Sequence, residues 1–309
     1  MEVQDKRYTY PALQCLQMPK PSRLSLAKEA IFSRFDSAPS KVYSEAMLSG
    51  LLEQERAKWD LPASTRAPAF ISFLERQGKL KPLDLVSAEY GRSIKRHSWG
   101  KASPLELALS IKSRGYLCHG TAMTLHGLVK LPFKTIYLNS EQSDKSQDAS
   151  SLNQRGIDLA FSGRQRRSKL IYRYADISIV MVSGKNTGRL GVEEIAFPGS
   201  ALLQVTNLER TLIDIVVRSA YAGGISNVVK AYRAAKDRMS IDRLISTLEA
   251  LDYVYPYHQA IGFLMQKAGY PEKNFNQLRA KRLDYDFYLT HEMKTPAYSK
   301  EWRLYHPKD

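Results

Sequence analysis

Residues 80–99 have the sequence LKPLDLVSAEYGRSIKRHSW, and this pattern predicts a β-hairpin. Two extended segments, Leu80–Ser87 and Arg92–Trp99, flank a turn at residues 88–91 that ends in Gly91. Short strands on either side of a glycine-containing turn are typical of a hairpin. The hairpin determines how the residues before it should be interpreted.

Three helices are predicted before the hairpin. The first begins near Arg23 and stops at Pro39, and residues 41–43 form a short extended segment. Ser44 can cap a second helix that runs to about residue 59, and Ser64 or Thr65 can cap a third. The apolar positions that define these helices include Leu24, Ile31, Phe35, Met47, Leu48, Leu51, Leu52, Phe70, Phe73 and Leu74.

This order of elements predicts an N-terminal winged helix-turn-helix. Gly78 ends the third helix, as a glycine just past a helix commonly does. Three helices and a hairpin then fill residues 23–101, and residues 1–22 form an N-terminal extension. A new helix starts at Ser103-Pro104, where serine caps, proline takes the first position and Glu106 reaches back to the cap. The domain boundary is therefore predicted near residue 101.

The second domain, residues 102–309, alternates between strands and helices, which favours an α/β or α+β fold with a helical C-terminal part. A polar segment, residues 140–154, is predicted to be disordered. Strands are predicted at 116–118, 135–138, 156–161, 169–172, 177–182, 192–197, 201–205 and 283–289. Helices are predicted at 119–128, 206–218, 223–237, 240–251 and 256–268.

The charge of the whole chain favours a polyanionic partner. The chain has 309 residues and a net charge of +15, an excess that suits DNA, RNA or an acidic surface. A basic protein without a nucleic-acid role remains the alternative. Two distant cysteines indicate neither a disulfide framework nor a zinc site. No signal peptide and no apolar run of membrane-spanning length are visible, so a cytoplasmic protein is expected.

The third helix and the hairpin carry the residues that we predict to contact DNA. Arginine at the start of such a helix can bond guanine in the major groove, and lysines or arginines of a wing neutralise phosphates. A capped surface helix and a solvated hairpin are the alternatives. The predicted DNA-binding residues are Lys58, Ser64, Thr65, Arg66, Lys79, Lys81, Arg92, Lys95 and Arg96.

A second basic cluster has no single predicted role. Its residues are Arg164, Arg166, Arg167, Lys169 and Arg173. The cluster could bind DNA, an RNA held by a protein partner or an acidic face of that partner, or it could be a solvated loop.

No catalytic residue, metal or cofactor is predicted. His119 and His126 are too few for a metal site, and His126 is expected to end a packed helix. Asp158, Asp176, Glu193 and Glu194 fall on predicted strands but lack the acid-x-lysine pattern of a nuclease. Glu209 is assigned to a capping box that starts at Thr206, and Arg210 with Asp214 to an i, i+4 pair.

Several segments together resemble the AbiEi family of antitoxins. They are GYLCHGTA at 115–122, LHGL at 125–128, VTNLERTLID at 205–214 and AGG at 222–224 with the helix after it. Cys118 and His119 stand where the family more usually has a serine region, and Asn207-Leu208 replaces Ser-Pro.

The resemblance implies a regulator that is not an enzyme. Family members bind inverted repeats in their own promoter through an N-terminal winged helix. Their C-terminal domain is similar in outline to restriction-endonuclease-like folds. They counteract a cognate nucleotidyltransferase toxin, AbiEii-like, in phage defence by abortive infection. Binding to inverted repeats would favour a dimer on DNA.

Two other functions stay open at this point. One is a divalent-metal nuclease that acts through the second domain. The other is a toxin-binding module that does not bind DNA.

Overall fold

A computed structural model describes residues 21–143 and 152–308 of the chain. Most of the predicted N-terminal extension and residues 144–151 of the predicted disordered segment lie outside the described residues. The α-helices are α1 (Arg23–Leu26), α2 (Lys28–Asp36), α3 (Glu45–Glu55), α4 (Ala67–Arg76), α5 (Pro104–Leu109), α6 (His119–Leu125), α7 (Gln154–Ser162), α8 (Leu208–Val217), α9 (Ile225–Ala235), α10 (Ile241–Leu251), α11 (Tyr257–Lys267) and α12 (Asn276–Arg279). The strands are β1 (Val42–Tyr43), β2 (Leu80–Ser87), β3 (Arg92–Trp99), β4 (Tyr116–Leu117), β5 (Thr135–Glu141), β6 (Ile171–Tyr174), β7 (Ile177–Gly184), β8 (Val192–Ile195), β9 (Leu203–Thr206), β10 (Phe287–Tyr288), β11 (Pro296–Ser299) and β12 (Leu304–Pro307).

The fold is mixed α/β and is built on one large sheet. Among the described residues, this sheet has nine strands in the order β1-β3-β2-β6-β7-β5-β4-β9-β8. β5 and β7 run parallel, whereas β6 and β7 run antiparallel. A smaller sheet orders β10-β12-β11 near the C-terminus. The described helices include none that is long and apolar enough to cross a membrane.

The predicted hairpin is present with the predicted bounds. β2 and β3 pair antiparallel from Leu80 opposite Trp99 to Ser87 opposite Arg92. Gly91 closes the turn at φ 55°, in the left-handed region that glycine enters without the steric cost that a Cβ imposes. β1 adds to the other edge of β3. Local sequence patterns therefore specified this part of the sheet.

The start of α4 differs from the prediction. Neither Ser64 nor Thr65 caps the helix, because Arg66 is the N-cap and Pro68 lies in the first turn. A proline there costs little, since the first N–H groups of a helix lack intrahelical partners in any case. Residues 62–65 instead form a turn in which the Thr65 N–H donates to the Pro62 carbonyl at 2.9 Å.

The large sheet crosses the predicted domain boundary. Residue 101 falls between β3 and α5, but β2 also bonds to β6 where Val86 lies opposite Arg173. Leu83 and Leu85 of the hairpin pack into the same core as Leu105 of α5 and Tyr172 of β6. The two predicted units thus share both hydrogen bonds and apolar contacts.

Two further cores flank the shared one. Helices α2 to α4 close over Phe35, Phe70 and Trp99 in the N-terminal part. Helices α8 to α11 pack around Tyr232 and continue to Trp302 beside the small sheet. The small sheet was not predicted beyond a single strand at 283–289. Its strands are two to four residues long, too short for a clear alternating pattern.

The predicted strand at 156–161 is wrong, because this segment forms α7. The Asn153 side chain accepts a hydrogen bond from Gly156 N at 2.8 Å and so caps the helix. Ile157 and Phe161, four residues apart, are both buried. This is the helical spacing, which the short apolar run concealed.

Both predicted capping boxes are also wrong in detail. Ser103 does cap α5, but Glu106 Oε1 accepts from the Ala201 N–H at 2.7 Å. Asn207, and not Thr206, caps α8. Glu209 instead accepts from the Ser240 N–H at 2.9 Å. Each glutamate therefore bridges two distant segments, which a local motif does not reveal.

Candidate functional site

The turn before α4 is held open to solvent. Arg56 Nη1 donates to the Pro62 carbonyl at 2.7 Å and to the Thr65 carbonyl at 3.1 Å, which fixes the chain at the entrance to the helix. Ser64 and Arg66 are exposed, and Thr65 is half-buried. Within the described part of the chain, Arg66 makes no side-chain hydrogen bond and no close ion pair, although its charge helps to lower the pKa of Glu53. Its guanidinium is available to an external ligand.

The positive charge of Lys58, unlike that of Arg66, is partly compensated by a carboxylate within ion-pair distance. Its ammonium lies 2.8 Å from Glu55 Oε2, although the lysine side chain is 74% exposed. Water screens an ion pair whose ammonium is this exposed. Lys58 can therefore turn toward a phosphate at small cost.

The strand pleat divides the basic residues of the hairpin between two faces. Successive side chains of a strand point to opposite faces, so Lys95 lies on the face that also carries His97. Arg92 and Arg96 lie on the other face, as does Lys81, which is opposite Ser98. The predicted set of hairpin contacts therefore does not form a single surface.

Arg96 serves the fold and is removed from the predicted DNA contacts. Its Nε and Nη2 donate to the Ser110 carbonyl at 3.1 and 2.7 Å, and its Nη1 donates to the Lys95 carbonyl. Burial lowers the pKa of Arg96 from its usual value. The side chain joins β3 to the end of α5. Lys79 lies apart from the turn, with its ammonium 5.8 Å from the Phe32 ring centre.

The second basic cluster lies against the hairpin turn. Arg173 is opposite Val86 in the β6–β2 bridge, and Val86 is opposite Ser93. Directly opposed residues share a face, so Arg173 continues the face that carries Lys95. Lys169 Nζ lies 3.9 Å from Glu89 of the turn.

The remaining members of that cluster extend away from the hairpin. Arg166 and Arg167 are exposed. Arg164 also lies at the surface, 3.4 Å from Glu292. The cluster therefore extends from the hairpin turn, at Lys169 and Arg173, to Glu292 near the C-terminus, which sequence spacing did not indicate.

A cleft of about 550 Å³ separates α3 and α4 from the hairpin. Its lining includes the carboxylates of Glu45, Glu75 and Asp84. His97 is buried at its floor, with Nδ1 3.4 Å from Glu75 and Nε2 4.0 Å from Glu45. Lys95 and Arg96 also line the cleft, but the three carboxylates outnumber these two cations. The cleft itself is therefore unfavourable for phosphate, and Arg66 lies outside its lining.

A polar pocket lies where two of the segments singled out in the sequence, residues 115–122 and 205–214, meet. It has a volume of about 150 Å³. His119 comes from the first segment, and Arg210 and Asp214 come from the later one. The full lining is His119, Asn139, Val182, Gly184, Lys185, Arg210, Asp214, Val217, Arg218 and Tyr253.

An ion pair is buried in the wall of this pocket. Arg210 Nε lies 2.8 Å from Asp214 Oδ1, and both side chains are about 5% exposed. Burial favours the neutral acid and raises the pKa of Asp214, although Arg210 opposes this shift. Removing one partner of such a pair typically costs about 3–5 kcal/mol. The sequence predicted the i, i+4 pair, and the burial of both side chains is what makes the pair costly to break.

His119 adopts an uncommon backbone conformation beside this pair. Its φ is 49°, a value that residues other than glycine adopt at an energetic cost. Its Nδ1 lies 3.0 Å from Cys118 Sγ. Burial, with help from Arg218 and Arg210, lowers the pKa of His119 to about 3. The imidazole is therefore neutral at physiological pH.

A hydrogen-bonded network lies behind the pocket, and the sequence patterns did not predict it. Asn139 donates to the Tyr116 hydroxyl at 2.6 Å, and that hydroxyl donates to Glu141 at 3.0 Å. Glu141 also accepts from Thr187 and from the Arg189 N–H. These residues come from separate strands and a loop, so no short motif could indicate them.

The other candidate residues occupy separate places. His126 Nε2 lies 2.7 Å from the Thr206 carbonyl, as suits a helix end packed on β9. Asp158 lies on α7 and accepts from Gln154 and Tyr288. Glu193 and Glu194 lie on β8, at an edge of the large sheet, and Asp176 lies in the β6–β7 turn. Across the described residues, no group of His, Cys, Asp or Glu is arranged to hold a metal ion.

Comparison with known proteins identifies a shared fold. No family model matches the chain, and no curated protein matches it. Among solved structures, the chain is similar to the crystal structure of the RV2827C protein from Mycobacterium tuberculosis. The TM-score is 0.53, with 15% identity and 91% of each chain covered. Such a likeness shows that the mixed α/β arrangement recurs in another protein.

Proposed function

We propose that this chain is a DNA-binding transcriptional autorepressor and the antitoxin of a nucleotidyltransferase toxin. The observation that carries the DNA-binding proposal is the solvent-exposed start of α4. Arg56 holds the preceding turn, and Arg66 stands at its end without a close ion pair among the described residues. In winged helix-turn-helix proteins this end of the corresponding helix enters the major groove.

The N-terminal elements support a winged-helix role. Helices α2, α3 and α4 precede a hairpin whose second strand also pairs with β1. Lys95 and Arg173 share a face of the sheet and supply charge for the phosphate backbone. Contacts by Lys58, Ser64 and Thr65 would complete this surface. In this proposal, Arg92 and Lys81 have no direct place because they face the other side.

The antitoxin part of the proposal comes from the segments that resemble AbiEi. Two of them, residues 115–122 and 205–214, contribute side chains to one pocket, which supports a shared role for these two. Neutralisation would proceed by binding and without catalysis, in the cytoplasm where the promoter lies. Two copies on the inverted repeats would account for operator symmetry.

Substitution of Arg66 tests the DNA-binding surface. For Arg66→Ala, we expect operator affinity to fall by about 1–3 kcal/mol, roughly five- to 150-fold, because a base contact is lost. Fluorescence anisotropy with the duplex upstream of the gene, at fixed ionic strength, measures this. Arg76→Ala is the matched control, since it removes the same charge from the exposed C-terminal end of α4.

The outcomes separate the competing functions. Equal affinity of wild type and Arg66→Ala would remove α4 from the interface. Co-purification with the toxin in the absence of any DNA shift would favour a pure binding module. Cleavage of DNA or RNA with Mg²⁺ or Mn²⁺, lost in Asp158→Ala, would favour a nuclease.

A further inference from the structure

The polar pocket between β7 and α8 is lined by an excess of positive charge. Among the described residues that line it, Lys185, Arg210 and Arg218 are cationic and Asp214 is the carboxylate. Asp214 is bonded to Arg210, so the charge of that pair is internally compensated. Lys185 Nζ lies 3.6 Å from Asp252 Oδ2 and donates to the Leu251 and Asp252 carbonyls, so the charge of Arg218 is the uncompensated one, and it attracts an anion.

Arg218 has a side chain that the fold does not use for hydrogen bonding. Its guanidinium lies 5.8 Å from the Tyr221 ring centre, and within the described residues it forms neither a side-chain hydrogen bond nor an ion pair. The residue is half-buried at the end of α8. A guanidinium is a planar fork of N–H donors that matches the oxygens of a phosphate or carboxylate.

The size of the pocket limits what can enter. Its volume of about 150 Å³ is well below the roughly 300–1,000 Å³ of common small-molecule sites. At about 30 Å³ for each liquid water, it holds the equivalent of about five waters. One tetrahedral oxyanion fits this space, and a nucleobase does not.

The walls of the pocket resist collapse. A Cβ on Gly184 would meet Asn139 Oδ1 at 2.7 Å, and one on Gly191 would meet the Arg210 Cβ at 2.9 Å. The buried Arg210–Asp214 pair fixes α8 relative to the chain near Leu190, whose carbonyl Arg210 also bonds at 3.0 Å. A preformed, rigid cavity lowers the cost of ordering a ligand.

We infer that this pocket binds a phosphate group, either as free phosphate or as the terminal phosphate of a nucleotide. Arg218 contacts its oxygens through its N–H fork, and Lys185 and the neutral His119 also line the pocket. A phosphate offers this fork the oxygens of a tetrahedral oxyanion, which the pocket volume accommodates. The residues concerned lie outside the DNA-contacting set, so a failure of phosphate binding and a failure of operator binding are distinguishable.

Titration calorimetry with inorganic phosphate tests the inference. We expect saturable binding of one phosphate per chain to the wild type, at constant ionic strength. Arg218→Gln should weaken this binding at least tenfold. Arg76→Gln should leave it unchanged, because Arg76 is an exposed arginine on α4 outside the pocket.

A second variant protects the test against misfolding. Arg218→Lys keeps the positive charge and removes the planar N–H fork, so it should fold even if Arg218→Gln does not, and it too should weaken binding. Titration with a nucleoside 5′-monophosphate distinguishes the sources, since tighter binding than inorganic phosphate assigns the group to a nucleotide. Absence of saturable binding in the wild type, or equal losses in Arg76→Gln and the pocket variants, would overturn the inference.

Discussion

At the scale of single residues, close backbone approach fixes the chain around the polar pocket. Gly120 lies inside α6, and a Cβ there would meet the Tyr221 carbonyl at 2.7 Å. Gly50 also lies inside a helix, α3, but a Cβ there would meet nothing within 4 Å. Both glycines are therefore helical residues, but Gly120 is closely packed and Gly50 faces open space.

This contrast gives a paired prediction for stability. Gly120→Ala should lower the free energy of unfolding by about 1–3 kcal/mol, because the added methyl forces the backbone of residue 221 to move. Gly50→Ala should raise it by about 0.5–1 kcal/mol, since alanine favours the helix and restricts the unfolded chain. Urea unfolding midpoints at unchanged slope measure both. A stabilising Gly120→Ala would show that α6 and residue 221 are not packed as described.

Two arginines also show why a basic residue in the sequence need not be free to contact phosphate in the folded protein. From the sequence alone, Arg66 and Arg96 are equally plausible phosphate ligands. Arg96 is bound to the Ser110 carbonyl, whereas Arg66 is exposed. Which backbone carbonyl reaches an arginine depends on tertiary packing.

At the scale of elements, buried glutamates join helices that are distant in sequence. Glu209 of α8 accepts from the Ser240 N–H at the start of α10, and its Oε2 lies 3.2 Å from Arg243 Nε. The carboxylate is 1% exposed, so these partners replace its contacts with water. A negative group at a helix N-terminus is also favoured by the helix dipole.

We therefore expect Glu209→Ala to destabilise the helical part strongly. The free energy of unfolding should fall by about 2–4 kcal/mol, because the Ser240 backbone N–H and the Arg243 guanidinium both lose their partner. Glu249→Ala is a suitable control, since Glu249 is an exposed glutamate of α10 that pairs with Lys281. The free energy of unfolding of Glu249→Ala should fall by no more than about 1 kcal/mol. Thermal unfolding followed by far-UV circular dichroism compares the two, and equal effects would remove the bridging role of Glu209.

At the scale of the whole molecule, the continuous sheet makes one cooperative unit of two sequence regions. Leu85 of β2 is fully buried, in a core that also contains Leu105 and Tyr172. The same strand bonds to β6 through Val86. Unfolding of the N-terminal part would expose this shared core.

The expected result is a single unfolding transition for the described fold. Leu85→Ala should lower stability by about 2–5 kcal/mol, as for other buried leucines, and should shift the tryptophan fluorescence and circular dichroism transitions together. Leu48→Ala, in the core of the N-terminal helices, should do the same. Two separate transitions, with Leu85→Ala shifting one of them, would show instead that the parts unfold independently.

The same scale explains how the proposed binding surface is assembled. Arg173 reaches the face of Lys95 because β6 pairs with β2, although the two residues are far apart in sequence. The acidic cleft between α3, α4 and the hairpin sets a limit on where a phosphate backbone can lie. Neither feature belongs to a single element.

The sequence by itself determined the elements that depend on neighbouring residues. The β2–β3 hairpin, the Ser44 cap and the Arg210–Asp214 spacing all follow from local turn chemistry and helical periodicity. Even so, a short apolar run such as Ile157–Phe161 was misassigned, because strands and helices look alike over one turn. Tertiary structure decided the β2–β6 bridge, the partners of Glu106 and Glu209, and the assembly of the polar pocket. These depend on burial and on contacts between distant segments, whose energies local patterns do not contain.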